Sequence, residues 1–448
     1  MSNSSEMSQA SLSDSASQTS AHKRPNVVFI ISDDHRYEAI GSNGNPIVHT
    51  PVLDALAGEG ASSCGTHIFG GLTGAVCAPS RACVNTGQSI FKSMIGSDVS
   101  VWEHSVVIRS DVRLMPQTLK EEGYRTHAIG KWHNDKASFA RSFEGGDKLF
   151  FYGMSDHDRV PVQDFDPDGV YPKEERPFCL YMAYTAPHDP RTAPEPYAAM
   201  YDPEAIPLPV NFLTAHPFDN GEMDVRDERL AHIPRDEAEI RRHIADYYAM
   251  ITHLDAQIGR VVEALKDQGV YEDTIIVYTA DHGLSVGQHG LMGKQNMYDH
   301  SVRIPFIMRG PGVPTGKRVR SLSSNIDIFP TVAELCSVPV PAEVDGVSLM
   351  PLIRGAGAGR GVVCTVYRDV QRMAKDERWK LIRHYRSPVT NTGTDCIQLF
   401  DLDEDPWETN DVSNVPENEP HIRRLARELE DWMAESGDFM QGTPVLMK

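Results

Sequence analysis

The chain has 448 residues, of which 40% are hydrophobic and 24% are charged. This composition is typical of a globular protein and excludes a collagen-like or wholly disordered chain. The formal net charge of −20 at pH 7 opposes binding to nucleic acid and to anionic membranes, so an anionic substrate requires a local cluster of cations. The apolar runs are shorter than the roughly 20 residues of a membrane-spanning helix, and we expect neither a nucleic-acid nor a membrane partner.

Seven cysteines are scattered along the chain, an odd number without paired spacing. This pattern is typical neither of a disulfide framework nor of a CxxC zinc site, and it favours a reducing compartment. Residues 1–24 are rich in serine and lack the apolar core of a secretory signal, so we predict a disordered tail there. We therefore expect a cytoplasmic protein, either a monomer or a homo-oligomer.

Short apolar segments alternate with helical patterns from residue 26 onward. The first of them, Asn26–Ser32, is rich in β-branched residues and too short for a buried helix, so it predicts a buried strand. Further strands are predicted at 126–130, 178–184, 274–279 and 304–308, and helices at 50–58, 115–122 and 237–267. The alternation predicts an α/β fold with a mainly parallel central sheet flanked by helices.

The C-terminal quarter has a different pattern. After a glycine-rich break at 355–361, strand-like segments are predicted at 364–367, 379–384 and 398–401, and a last helix at 420–435. We predict three parts: a tail at 1–24, a large α/β domain carrying the site at 25–354, and a small α+β subdomain at 355–448 with a short antiparallel sheet and a helix.

Unusual polar residues follow four of the predicted strands. They are Asp33 and Asp34, Lys131 and His133, His188, and Asp281 and His282. Ligands of open α/β sheets bind beyond the carboxyl ends of the strands, so these groups are expected at one edge of the sheet. A single polar residue after a strand often serves only solubility, but four sets in equivalent positions indicate a functional site.

Three of these residues, Asp33, Asp34 and Asp281, bring carboxylates together. Clustered carboxylates repel one another unless a cation lies between them, so they favour a divalent metal. Oxygen ligands favour Ca²⁺ or Mg²⁺ over Zn²⁺, although His282 as a ligand leaves transition metals open. The alternative is structural: Asp34 caps a helix and Asp281 lies in a turn with Gly283.

The sequence CAPSR at residues 77–81 lies in a glycine-rich loop. Pro79 suits the first turn of a helix, and a helix N-terminus attracts anions. The structural alternative for Cys77 is a buried cysteine beside a capping serine, Ser80.

The order of cysteine, proline, serine and arginine at 77, 79, 80 and 81 resembles the signature of the type I, formylglycine-dependent sulfatases, within the alkaline-phosphatase-like superfamily. In the order of that family follow GKWH at 130–133, PH at 187–188, ADHG at 280–283 and GK at 293–294. DGVSL at 345–349 and LFDLDEDPWETN at 399–410 resemble its C-terminal features. Many sulfatases have asparagine at the position of His282, whereas members similar to iduronate 2-sulfatase have histidine.

The resemblance implies that a maturation enzyme oxidises Cys77 to formylglycine, whose hydrate attacks sulfur so that the S–O bond of the ester breaks. It implies one Ca²⁺ or Mg²⁺ held by Asp33, Asp34, Asp281, His282 and the modified Cys77. Arg81 and Lys131 would steady the formylglycine oxygens, and His133 would take a proton to expel sulfate. His188 and Lys294 would bind sulfate and protonate the leaving alcohol.

Two other functions fit parts of the sequence. A phosphonate monoester or phosphodiester hydrolase can use the same cysteine motif and metal site on a similar fold. A dianionic phosphate demands more positive charge than a sulfate monoester, and Arg81, Lys131, Lys294 and one metal suit the sulfate. A non-catalytic binding protein on this fold is expected to have lost Cys77, Lys131 or His188, and all three are present.

Polar residues near these motifs are candidates for contacts with the leaving alcohol. Candidate contacts to sugar hydroxyls are Asn134, Asp135, Asp156, His157 and Arg191, with simple solvation as the alternative. We expect loops at 134–141 and 155–166 to close a pocket around a small sulfated mono- or disaccharide, since a cytoplasmic enzyme does not meet long sulfated polysaccharides.

Overall fold

Nine strands form the central sheet of the described chain. The computed structural model describes residues 24–72, 74–95, 107–152, 163–165 and 176–446, with only the backbone given at 163–165. Almost all of the predicted tail lies outside the described residues, as do Asp156 and His157. None of the described helices is both long and apolar enough to cross a membrane.

The strands within the described residues are numbered in chain order. They are β1 (Asn26–Ser32), β2 (Ala61–Ser63), β3 (Thr66–His67), β4 (Gly70–Gly71), β5 (Arg125–Lys131), β6 (Gly145–Phe150), β7 (Gln163–Phe165), β8 (Phe178–Ala183), β9 (Thr274–Ala280), β10 (Phe306–Arg309), β11 (Lys317–Val319), β12 (Ser323–Ser324), β13 (Val363–Tyr367), β14 (Gln371–Lys375), β15 (Trp379–His384) and β16 (Cys396–Asp401).

The α-helices are numbered in the same way. They are α1 (Pro51–Glu59), α2 (Cys77–Thr86), α3 (Ile90–Ser93), α4 (Met115–Glu121), α5 (Lys136–Ser142), α6 (Glu195–Ala198), α7 (Glu237–Asp267), α8 (Asp299–Val302), α9 (Ile328–Leu335), α10 (Met350–Ile353) and α11 (Glu419–Ser436).

The central sheet is mainly parallel, which confirms the predicted fold class. Its spatial order is β11-β2-β10-β9-β1-β8-β5-β6-β7. β1 pairs in parallel with β8 and β9, and β5 with β8 and β6. β10 runs antiparallel to both of its neighbours, β9 and β2. The carboxyl ends of β1, β5, β8 and β9 therefore lie at one edge.

The side chains of β1 point alternately to the two faces of the central sheet, and helices cover both faces. Val27, Phe29 and Ile31 pack into one apolar cluster with residues of α2 and α4. Val28 and Ile30 point to the other face and pack with α1 and the C-terminal half of α7. Because successive side chains of a strand point to opposite faces, a continuous apolar run predicts burial on both sides.

A second sheet has the order β16-β15-β14-β13-β4, and α11 packs on it. Its four C-terminal strands are antiparallel, whereas β4 pairs in parallel with β13. Gly70 of β4 has φ of 128°, and a Cβ there would lie 1.9 Å from the Val366 carbonyl oxygen. Only glycine fits this crossing, which ties the small sheet to the segment just before α2.

Of the four antiparallel strands, β14 alone is absent from the sequence prediction. Its sequence, QRMAK, reads as polar, yet all five residues are buried. Arg372 is neutralised by Asp438, and Lys375 by Asp299. Periodicity cannot show that a distant carboxylate makes a charged side chain fit a buried strand.

The Arg372–Asp438 pair gives a stability prediction. Both side chains are fully buried, and two parallel bonds, Nε to Oδ2 at 2.6 Å and Nη2 to Oδ1 at 2.8 Å, join β14 to Asp438, two residues after the end of α11. Asp438→Ala is expected to lower the free energy of unfolding by about 3–5 kcal/mol, because it leaves a buried guanidinium without its counter-charge. Urea unfolding measures this.

A matched control lies on α11 itself. Arg423 pairs with Glu419, four residues before it, and both side chains are largely exposed. Arg423→Gln should change the free energy of unfolding by less than about 0.5 kcal/mol, since an exposed pair is screened by solvent. Equal effects of the two substitutions would show that the buried pair does not hold the two elements together.

Candidate active site

The polar residues predicted at the strand ends do come together at the carboxyl edge of the sheet. Asp33 and Asp34 follow β1, and Asp281 and His282 follow β9. His133 and His188 follow β5 and β8, and Lys131 ends β5. Asp34 and His133 both have φ of 63°, a left-handed conformation that is uncommon outside glycine and that turns a side chain back over a strand end.

Three carboxylates and one imidazole form the centre of this cluster. His282 Nε2 lies 3.0 Å from Asp34 Oδ1, 3.6 Å from Asp281 Oδ1 and 3.9 Å from Asp33 Oδ1. Asp33 Oδ1 and Asp34 Oδ2 are buried without a hydrogen-bond partner in the described chain. Inward-facing oxygen and nitrogen atoms at such distances fit a single divalent cation.

Charges around the cluster oppose the cost of burying the carboxylates. Burial alone would raise the pKa of Asp33, but Lys131, His188 and Arg81 hold it well below its usual range. Asp281 has its pKa raised by burial and by the neighbouring charge of Asp33. Burial would lower the pKa of His282, yet Asp281 and Asp34 raise it well above its usual value. The cluster therefore attracts additional positive charge.

Cys77, the first residue of α2, faces this centre. The side chain is buried, and its Sγ lies 3.1 Å from His282 Nε2 and 3.6 Å from Lys294 Nζ. Its sulfur and ligand atoms of Asp33, Asp281 and His282 lie within 4.8 Å of one another. A nucleophile derived from Cys77 would thus sit directly on the cation site.

The rest of the CAPSR sequence orients Asp281. Arg81 Nε donates to Asp281 Oδ2 at 3.0 Å, and Arg81 Nη1 donates to the Lys131 carbonyl at 2.9 Å. The Ser80 hydroxyl donates to the backbone carbonyl of Asp281. The structural alternative of a capping serine is wrong, because no side chain caps α2 and the Ser80 hydroxyl bonds to Asp281, the residue that follows β9.

Lysine and histidine side chains surround the same point. Lys294 Nζ donates to Asp34 Oδ1 at 2.8 Å, and Lys131 Nζ donates to Asp33 Oδ2. His188 Nδ1 donates to the Asp189 carbonyl at 2.8 Å, which leaves Nε2 facing Asp34 Oδ2 at 3.8 Å. Burial lowers the pKa of His188 to about 3, so the imidazole is neutral at pH 7.

His133 is a second neutral imidazole at the edge. Burial and the charge of Lys131 hold its pKa well below the usual value. Its Nδ1 atom is buried without a hydrogen-bond partner among the described residues. A neutral imidazole with one unengaged nitrogen can accept a proton, which matches the role that the resemblance gives to His133.

The segment Arg226–Leu230, which sequence reasoning missed, holds the backbone around Lys294 in place. Glu228 accepts hydrogen bonds from the backbone amides of Met292 and Gly293 and pairs with Arg235. Asp227 accepts a bond of 2.8 Å from Gln295 Nε2. In the sequence this segment reads as a charged, solvated loop, and no local signal distinguishes it.

The predicted substrate-contact residues lie in three settings. Asn134 Nδ2 donates to the Ala78 carbonyl, and Asp135 accepts from the amides of Ser138 and Ile108, so Asp135 caps α5. Residues 136–142 are therefore a helix rather than the predicted loop. Arg191 lies between β8 and α6, three residues after His188, and its Nη1 atom contacts His243 Nδ1 at 3.0 Å. Contact of any of these residues with substrate stays a prediction.

Two families of known proteins match the sequence of this chain. The family described as sulfatase matches residues 25–338, and the C-terminal family of N-sulphoglucosamine sulphohydrolase matches residues 287–435. An ulvan-active sulfatase of Formosa agariphila is 27% identical, over 95% of this chain and 84% of its own.

Two solved structures share the fold. One is a complex with its substrate D-glucosamine-2-N,6-O-disulfate; it is 22% identical, covers 95% of this chain and 100% of its own, and has a TM-score of 0.75. The other, a phosphonate monoester hydrolase of Agrobacterium radiobacter, is 20% identical, covers 92% and 96%, and has a TM-score of 0.72. The fold alone therefore does not separate sulfate from phosphonate hydrolysis.

Proposed function

This chain belongs to the sulfatase family, and on that premise we propose that it hydrolyses the sulfate monoester of a small sulfated carbohydrate. The proposal includes one bound Ca²⁺ or Mg²⁺ and oxidation of Cys77 to formylglycine by a maturation enzyme. The observation that carries it is the position of Cys77 Sγ, between His282 Nε2 and Lys294 Nζ and above three buried carboxylates.

The proposed metal ligands are Asp33, Asp34, Asp281 and His282, with the oxygen of the modified Cys77. When bound, the metal and the aldehyde together would supply the nucleophile and withdraw charge from the sulfate oxygens. Arg81 fixes Asp281 through its Nε bond, and Lys131 fixes Asp33. These contacts hold the ligand oxygens in place without any rearrangement, which is the preorganisation that charge stabilisation needs.

The proton transfers are assigned to His133, a neutral imidazole that accepts a proton, and to Lys294, a charged amine that donates one. His133 has an unengaged nitrogen and accepts the proton that must leave when sulfate is released. Lys294, beside Asp34, binds the sulfate oxygens and protonates the leaving alcohol. His188, also beside Asp34, is neutral with its hydrogen on Nδ1, so it shares in that proton transfer only after its Nε2 atom has taken up a proton. Only one proton has to reach the leaving oxygen, so a single charged or protonated donor there is enough.

The charge of the site favours a sulfate ester over a dianionic phosphate. Its cations Arg81, Lys131 and Lys294 are already opposed by Asp33, Asp34 and Asp281. One divalent metal then leaves an excess of positive charge that suits a monoanionic sulfate ester. A phosphonate monoester is a monoanion too, so the assay with a phenylphosphonate ester is what separates the two activities.

The proposal also places the enzyme in the cytoplasm. The structure gives all seven cysteines as free thiols, which fits the reducing cytoplasm. An enzyme there would meet short sulfated sugars rather than intact polysaccharides. We propose that such sugars are its substrates, with the formylglycine-generating enzyme as its partner during maturation.

The test is a panel assay on protein coproduced with a formylglycine-generating enzyme. Sulfated sugars of one to six units, 4-nitrophenyl sulfate, choline sulfate and a phenylphosphonate ester are compared by kcat/KM. We expect the best sulfated mono- or disaccharide to exceed the phosphonate ester by at least about 100-fold, because only the sugar adds binding energy that is used in the transition state. In H₂¹⁸O the label should enter sulfate and not the alcohol.

Faster turnover of the phosphonate ester would reject the proposal in favour of the other activity found on this fold. Efficiency that rises steadily with chain length would retain a sulfatase but reject the small substrate.

A further inference from the structure

One edge of the Arg191 guanidinium has no partner within the described chain. Its Nε and Nη2 atoms are both buried and form no hydrogen bond there. Its Nη1 atom contacts His243 Nδ1 at 3.0 Å. Buried donors are satisfied in most proteins, so two adjacent unpaired N–H groups on one side chain require an explanation.

Arg191 lies at the candidate active site. It comes three residues after His188, in the segment between β8 and α6. Burial lowers the pKa of its guanidinium, and the largest opposing influence is the charge of Asp34. The next is Tyr247 of α7, whose hydroxyl donates to the Asp34 backbone carbonyl. The guanidinium is therefore close enough to Asp34, one of the proposed metal ligands, for the two charges to interact.

No described carboxylate neutralises this edge. Asp34 is engaged by Lys294, and Asp227 by Arg226 and Gln295. Asp246 also lies near Arg191, but among the described residues no ion pair joins any of the three acids to it. The Nε and Nη2 hydrogens of arginine point in parallel and match the two oxygens of a carboxylate or a sulfate. The fork is free for a ligand of that shape.

We infer that the Nε and Nη2 atoms of Arg191 bind a second anionic group of the substrate, distinct from the sulfate that is cleaved. This inference rests on the proposed function and narrows its substrate class to sulfated sugars that carry a further carboxylate or sulfate. A sugar whose only anion is the sulfate to be cleaved would leave both buried N–H groups unpaired, and a site built for a hydrogen bond rejects analogues that lack it.

Two matched pairs of sugars test the inference. Glucuronic acid 2-sulfate is compared with glucose 2-sulfate, which lacks the carboxylate. Glucosamine 2-N,6-O-disulfate is compared with N-acetylglucosamine 6-sulfate, which lacks the second sulfate. Each is assayed for turnover, and a sugar that is not turned over is measured as a competitive inhibitor of 4-nitrophenyl sulfate hydrolysis.

With the wild-type enzyme, at least one sugar with a second anion should have a kcat/KM about 100-fold higher, or an inhibition constant about 100-fold lower, than its partner that carries only the one sulfate. The pair that shows the preference tells whether the second anion is a carboxylate or a sulfate. Arg191→Gln should abolish that preference and lower kcat/KM for the sugar with a second anion at least about 30-fold more than kcat/KM for 4-nitrophenyl sulfate, since the aryl ester has no second anion. Arg191→Lys should restore part of it, because lysine supplies charge without the fork.

The control variant is Arg242→Gln, on the exposed face of α7 one residue before His243. It removes one positive charge from the same region and should leave the preference intact. The inference is overturned if wild type does not discriminate within either pair, or if Arg191→Gln slows 4-nitrophenyl sulfate as much as the sugars. Absence of any sulfate ester hydrolysis by wild type would instead refute the proposed function.

Discussion

Cys77→Ala should lower kcat/KM for every sulfate ester by more than about 10⁵-fold, the size of loss seen when a covalent nucleophile is removed from an enzyme. The fold should persist, because alanine keeps the helix α2 and removes only a sulfur atom whose polar contacts are to His282 and Lys294. The measurement is kcat/KM with 4-nitrophenyl sulfate and the best sugar sulfate, beside circular dichroism of both proteins.

Mass spectrometry links that loss to the modification. The wild-type peptide ending at Arg81 should carry formylglycine at position 77 in proportion to activity. Cys83, on the same helix, provides the matched control, since it is buried and burial raises the pKa of its thiol well above the usual value. Cys83→Ala should retain activity within about 3-fold. Fully active protein with only unmodified cysteine at position 77 would show that the proposed nucleophile is wrong.

Much of the central sheet could be predicted from the sequence, because burial on both faces leaves a continuous apolar run. β1 and α7 have the predicted bounds, β8 and β9 differ from theirs by one residue at one end, and β5 is one residue longer at both ends. β14 could not be predicted, because its charges are compensated by residues far along the chain. Pattern analysis reads local composition and has no access to such distant neutralisation.

The candidate site also combines residues that could be predicted from the sequence with contacts that could not. Residues at the ends of parallel strands converge as the topology requires, so Asp33, Asp281 and His188 could be placed together in advance. The hydrogen bonds from the backbone amides of Met292 and Gly293 to Glu228 could not be predicted, since these residues lie more than sixty positions apart in the sequence. The helix at 136–142 is absent from the prediction, because the sequence analysis takes Asp135 as a contact to sugar hydroxyls in a loop, whereas its side chain caps the helix.

Asp281→Asn should remove the bound metal and lower kcat/KM by at least about 10³-fold. The substitution keeps the size of the side chain but removes the charge that balances Arg81 and opposes Asp33. A ligand set of two carboxylates and one imidazole holds Ca²⁺ or Mg²⁺ far more weakly than a set of three carboxylates. Elemental analysis after gel filtration should find about one ion per chain in wild type and almost none in the variant.

Two further measurements make this expectation specific. Asp255→Asn changes another buried aspartate, which accepts bonds from the amides of Val52 and Leu53 away from the site, and should keep the metal. Chelation of the wild-type protein should lower its Tm, since a ligand that binds only the folded state stabilises it, and added Ca²⁺ or Mg²⁺ should restore both Tm and activity. Wild-type protein shown by elemental analysis to be metal-free, yet fully active, would mean that the three carboxylates serve a purely structural role and that Lys131, Arg81 and Lys294 alone balance their charge.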